Sequence, residues 1–126
     1  MQHVILRALL VLTVGTSATV ALAASKAVDE AKCAGIFYVN KDLAEMGKGS
    51  ADKPASYWEG LTGKATAMAF EAAKGAKSKE QVEAEIGEIS TTMGLAVKKE
   101  DPETLSYLSE QTPQCEKLVN AADSTP

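Results

Sequence analysis

The chain has 126 residues, 45% hydrophobic and 24% charged, with 13 Lys+Arg against 17 Asp+Glu, 2 Cys and 1 His. Those proportions fit one small globular domain and exclude a disordered tail or a repeat array. The sole Arg, Arg7, and the sole His, His3, both fall at the very start, so the rest of the chain has neither imidazole nor guanidinium.

Residues 1–24 read as an address. Arg7 is followed by the apolar run Ala8-Leu9-Leu10-Val11-Leu12-Thr13-Val14, and Ala21-Leu22-Ala23 sets small residues at the −3 and −1 positions of a cleavage site. That order is a secretory signal peptide, 1–23, cut after Ala23. The competing reading is a retained anchor, because Val4 to Ala24 matches the roughly 20 residues that cross a bilayer. Gly15, Thr16, Ser17 and Thr19 dilute the second half of that span and favour cleavage. The remaining domain, 24–126, keeps 12 Lys and all 17 acidic residues, a net charge of −5. An acidic, Arg-free surface is a poor match for phosphate backbones, so nucleic acid is excluded as a partner. No second apolar run reaches membrane-spanning length, so no membrane association is expected after cleavage. The expected location is the bacterial periplasm or the medium.

Cys33 and Cys115 are the only cysteines, and both lie in the exported domain. An even pair in an oxidising compartment reads as a structural disulfide joining the start of the domain to its end. There is no C-x-x-C pair, and no His or Arg to lower a thiol pKa, which argues against a redox role.

The domain reads as helices throughout. The first spans Ser25 to Gly47, with Ser25 as N-cap and Asp29 and Glu30 in the first turn. Its stripe is Val28, Gly35, Ile36, Val39, Leu43 and Met46. Phe37 and Tyr38 widen that surface, which marks this helix as the central one. After a loop at Lys48–Lys53, Asp52-Lys53-Pro54 starts a second helix to about Lys74, with Pro54 in its first turn. Trp58, Leu61, Ala65, Met68 and Ala72 form one face, and Gly60, Gly63, Ala67, Ala69 and Ala73 make the rest of its surface small. Ser78-Lys79-Glu80-Gln81 is a capping box for a third helix to about Lys99. Its stripe, Val82, Ile86, Ile89, Met93 and Ala96, is the cleanest in the chain. Asp101-Pro102 opens a fourth helix by N-cap and N1 proline, with Leu105 and Leu108 facing inward. Pro113 either kinks that helix or starts a fifth capped by Thr112, and Cys115, Leu118, Val119 and Ala122 extend the apolar face. Short connections imply an all-α antiparallel bundle of four, or five, helices. In an up-down-up-down order the first and fourth helices are neighbours, which is where the two cysteines must meet.

The chemistry available to such a domain is narrow. Without His there is no Ser-His-Asp or Cys-His catalysis and no His-ligated haem, and a bridged cysteine pair leaves no common zinc site. Gly60-Leu61-Thr62-Gly63-Lys64 lacks P-loop spacing and lies inside a helix. Glu80, Glu83, Glu85 and Glu88 are arithmetically able to hold a hard cation or serve a carboxylate hydrolase, but the simpler reading is a solvated helix face. No cofactor, no metal and no catalysis are expected. The candidate interaction surface is Tyr57, Trp58, Gly60 and Gly63. Tyr and Trp are favoured binding anchors, yet they are also ordinary core residues with a polar tip. A monomer and a dimer that hides the Gly60/Gly63/Ala67 surface both fit the pattern.

The leading expectation is a non-catalytic exported protein that binds another macromolecule, in the first instance a periplasmic protein. In size, exported location, helical content and single disulfide the general plan resembles the acid-stress periplasmic chaperones of the HdeA type, although no motif carries residues across. That resemblance implies a holdase released by acid: with every carboxylate protonated, 12 Lys swing the domain from −5 to about +12, and repulsion loosens the bundle. A periplasmic immunity protein or enzyme inhibitor is the third reading, since it needs only a rigid acidic helical surface.

Overall fold

The structure, a computed structural model, describes residues 29–48 and 53–123. The expected signal peptide and the expected Ser25 cap lie outside them. Four helices follow in order, and no strand occurs among the described residues. They are α1 (Glu30–Glu45), α2 (Ala55–Ala72), α3 (Lys79–Lys98) and α4 (Pro102–Asp123). None is long and apolar enough to cross a membrane.

The caps explain where each helix begins and ends. The Asp29 side chain accepts from the Lys32 amide at 2.8 Å, so α1 starts at Glu30, and Asp29 is its cap and not part of its first turn. It ends in a Schellman turn: Lys48 N–H reaches Leu43 O at 2.7 Å and Gly47 N–H reaches Ala44 O at 3.0 Å. That turn needs a left-handed residue, and Gly47 supplies it with φ 71° at no steric cost. Pro54 is the N-cap of α2 and not its first helical residue. Ser78 and Gln81 form the capping box of α3 with both hydrogen bonds in place. Asp101 Oδ2 accepts from the Thr104 amide at 3.0 Å and opens α4.

The helices form a bundle organised around α1. Nine of its 16 residues are buried, among them Cys33, Ala34, Ile36 and Phe37 with no exposed surface. A helix this apolar on most sides has to sit inside, and α1 packs against all three others. Trp58 and Leu61 of α2, Val82 and Ile86 of α3, and Leu108 and Val119 of α4 complete the core. Of the stripe expected on α1, Val28 lies outside the described residues, Gly35, Ile36, Val39 and Leu43 are buried, and Met46 is 46% exposed. On α2, Ala69 takes the core position expected of Ala72, which faces solvent.

Two ties fix α4 to α1. Cys33 and Cys115 are joined by a disulfide with Cα atoms 5.3 Å apart, and both are fully buried. Closing a loop of 82 residues stabilises the fold by about 4.5 kcal/mol on the chain-entropy account. Asn40, buried on α1, donates from Nδ2 to Ile36 O at 3.1 Å and to Thr112 Oγ1 at 3.0 Å, while Thr112 Oγ1 donates to Leu108 O at 2.6 Å. As the α1 positions rise from 33 to 40 their α4 partners fall from 115 to 112, so the two helices pass in opposite senses.

These ties also settle the role of Pro113. The fifth-helix alternative is overturned: α4 is one helix running through Pro113. Proline removes one i to i−4 hydrogen bond and crowds the carbonyl of Ser109. The helix continues because Thr112 and Cys115, on either side of the break, are anchored to α1.

Candidate functional site

The four residues singled out as an interaction surface do not share one environment. Trp58 is 2% exposed and stacks on Phe37, with ring centroids 6.1 Å apart and planes at 29°. Tyr57 meets Trp58 edge-on at 4.9 Å, and the Lys53 ammonium lies 4.6 Å from its ring centroid. The Tyr57 hydroxyl donates to the Glu116 carboxylate. That hydrogen bond, helped by partial burial and by the carboxylate's charge, pushes the phenol up to about 12. Tyr57 is therefore neutral across the physiological range, and the tie between α2 and α4 is lost only as pH rises through that value. Trp58 is a core residue, and Tyr57 is a half-buried strut between helices.

Gly60 and Gly63 are exposed, and a Cβ at either meets nothing within 4 Å. Among the described residues nothing packs closely on α2 at these two glycines, whereas Ala69 of the same small-residue set is buried in the core. The close approach occurs elsewhere, at Gly35 on α1, where a Cβ would lie 2.5 Å from Cγ2 of Ile89. Only glycine lets α3 sit this close to the central helix.

Where α3 rests on α1 it leaves a groove on each flank. The smaller, about 570 Å³, lies toward α2 and has Tyr38, Met46 and Leu95 at its edge, exposed by 42%, 46% and 54%. Its hydroxyls are turned to their own helices: Thr62 Oγ1 donates to Trp58 O at 2.8 Å, Thr66 Oγ1 to Thr62 O at 2.7 Å and Ser90 Oγ to Gly87 O at 3.1 Å. The larger groove, about 1040 Å³, lies between α3 and α4. Its floor is Ile89, Met93, Ala96 and Tyr107, all half-buried. Burial and the nearby charge of Asp29 raise the Tyr107 phenol, so it too stays neutral at ordinary pH.

The chain matches no family model, no curated protein and no solved structure. The functional reading therefore rests on the geometry of this molecule.

The larger groove is rimmed by acids. Glu85 and Glu88 stand on the α3 wall, and Asp101, Glu103 and Glu110 on the α4 wall, against one lysine among the described residues, Lys32. Two of these are engaged: Lys77 meets Glu85 at 2.6 Å, and Asp101 accepts from Thr104, which holds its carboxyl below the usual range. Glu88, Glu103 and Glu110 make no ion pair with any described residue. The glutamate run on α3 is thus divided, Glu83 facing the smaller groove and Glu85 and Glu88 the larger. Among the described residues no three His, Cys, Asp or Glu side chains group closely enough to hold a metal ion.

Sequence reasoning missed this groove. A signal for it exists in the stripe of α3, whose Ile89, Met93 and Ala96 face a stretch of α4, Pro102 to Ser106, that offers little apolar bulk. Leu105, expected to face inward, is 40% exposed.

Proposed function

We propose that this is an exported, non-catalytic protein that binds another protein through the groove between α3 and α4. The observation that carries the reading is a groove between helices whose apolar floor, Ile89, Met93 and Tyr107, is only half-buried by the described residues, beside a disulfide-stapled core. An open apolar cleft between helices is the usual seat of a partner's side chains or helix. Export is supported by the A-x-A pattern before Ala24 and by the Cys33–Cys115 bridge, which persists in an oxidising compartment. An inhibitor or immunity protein is the form of this reading in which the occupant belongs to an enzyme.

The test is a photo-crosslinking side chain introduced at Thr92, an exposed position beside the groove, with Lys74, exposed in the turn after α2, as the control. In the exporting cell, Thr92 is expected to capture a discrete protein, identified by mass spectrometry, that Lys74 does not. Equal capture at both sites, or none at either, defeats the reading.

A second reading, the acid-stress chaperone, is favoured by the carboxylates lining that same groove. Its physical basis is the swing of the whole domain to positive charge in strong acid, which loosens helix packing by repulsion. Suppression of client aggregation at about pH 2–3, absent at pH 7, is the expected result. No protection in acid removes it.

A further inference from the structure

The reading above leaves the occupant's chemistry open, and the groove itself restricts it. We infer that the groove between α3 and α4 takes a basic amphipathic helix, with its apolar stripe on Ile89, Met93 and Tyr107 and its Lys or Arg flanks against Glu88, Glu103 and Glu110. The inference rests on the protein-binding function proposed above.

Length, floor and rim agree. From Glu85 to Ala96 the α3 wall runs about 16 Å, three helical turns, and from Asp101 to Glu110 the α4 wall runs about 14 Å. The walls therefore match in length, and each is as long as a helix of about three turns. The floor presents an unbranched thioether, an aromatic ring and a branched aliphatic chain, surfaces that accommodate varied side chains. Unpaired carboxylates stand on both walls, Glu88 on one and Glu103 and Glu110 on the other. A helix lying between them meets apolar surface below and negative charge on both flanks. The complementary helical wheel has one apolar stripe bordered on both sides by cations.

Charge also excludes the nearest alternatives. A second copy would bring another acidic domain of net charge −5 against the same rim, and like charges at an interface disfavour association. An anionic lipid surface is repelled by the same carboxylates.

The experiment uses the oxidised domain 24–126 and three fluorescently labelled synthetic helical peptides, read by anisotropy. One has a Leu stripe with Lys flanks, one the same stripe with Glu flanks, and one the Lys flanks with Ser in place of Leu. Only the first is expected to bind, and its affinity falls about tenfold in the triple variant Glu88→Gln/Glu103→Gln/Glu110→Gln and falls again as salt is raised. These positions are solvent-facing, so the triple variant keeps the fold, and circular dichroism confirms it. Equal binding of the Glu-flanked peptide, or an unchanged triple variant, overturns the charge inference while leaving the groove as a binding site. Equal binding of the Ser peptide reduces the effect to adsorption on an acidic surface and overturns the inference. If no peptide binds while Thr92 still captures a partner, this inference fails and the function stands.

Discussion

Helices α1 and α3 both carry apolar stripes on paper, and the fold treats them in opposite ways. α1 buries nine of its 16 residues, whereas α3 buries three of 20, namely Val82, Ile86 and Val97. The cleaner stripe is the less covered one. A stripe states which side of a helix avoids water, but burial also needs matching surface on the neighbours. α1 finds that surface on three sides. The lower half of α3 finds it at Val82 and Ile86, whereas its middle, Ile89 over Gly35 and Met93 against the core edge, is only half-buried between the two grooves. The difference separates a part of the molecule that holds the fold from a part that leaves apolar surface for the partner proposed above.

The sharpest way to break this contrast is to truncate one large apolar side chain on each helix. Phe37 on α1 is fully buried against Trp58, and Leu95 on α3 is 54% exposed. Phe37→Ala is expected to cost about 4 kcal/mol, the transfer of the ring plus the cavity it leaves. Leu95→Ala is expected to stay within about 0.5 kcal/mol, since the atoms removed were already wet. Urea denaturation of the oxidised domain measures both. Comparable losses at the two sites mean that α3 is as much a part of the core as α1.

Gly35 is where the two helices touch, so it tests whether their contact is specific. Gly35→Ala places a methyl 2.5 Å from Cγ2 and 3.1 Å from Cβ of Ile89. Isoleucine is branched at Cβ and stiff about χ1, so it has no easy rotamer to retreat to. Overpacking costs about 1–3 kcal/mol, offset in part by the roughly 1 kcal/mol that alanine gains over glycine in a helix. A net loss of about 1 kcal/mol is expected. In the double variant Gly35→Ala/Ile89→Ala the 2.5 Å clash with Cγ2 disappears and only the 3.1 Å approach of the two Cβ atoms remains, so the losses are not additive. Strict additivity in that cycle rules out the contact between α1 and α3.

How much of this was legible beforehand follows from which interactions are local. The caps at Ser78 and Asp101 were readable because each is settled within four residues by one side chain and one amide. The disulfide was readable from cysteine arithmetic, and the central place of α1 from the width of its apolar surface. Three features were not readable, because each depends on a residue far away in the chain. Asn40 looks like a surface residue until Thr112 arrives to satisfy it. Pro113 looks like a helix boundary until Thr112 and Cys115 are pinned to α1. The groove appears only once the spacing of α3 and α4 is known, and that spacing is set jointly by Gly35 and by the turn between the two helices. The surface chosen from sequence, Tyr57 to Gly63, drew attention to aromatic and small residues, whereas the groove is made of common aliphatic residues and glutamates on two different helices.

The turn that ends α3 offers the gentlest test, because it changes one residue outside the core. Glu100 has φ 56°, a left-handed conformation that a side chain disfavours by about 1–2 kcal/mol. It occupies the same place in a Schellman turn that Gly47 fills at the end of α1: Glu100 N–H reaches Val97 O at 2.9 Å and Asp101 N–H reaches Ala96 O at 3.1 Å. Glycine at this position relieves the Cβ strain but widens the unfolded ensemble, so the gain is smaller than the strain itself. Glu100→Gly is expected to stabilise the domain by about 0.5–1 kcal/mol, seen as a higher urea midpoint with an unchanged slope. The chain leaving α3 through this turn enters Asp101 and the α4 wall of the groove, so the turn fixes the angle between the two walls. If the same variant also leaves peptide affinity unchanged, the groove is held open by α1 beneath it. If stability rises while affinity falls, the strained glutamate is part of what sets the distance between the walls.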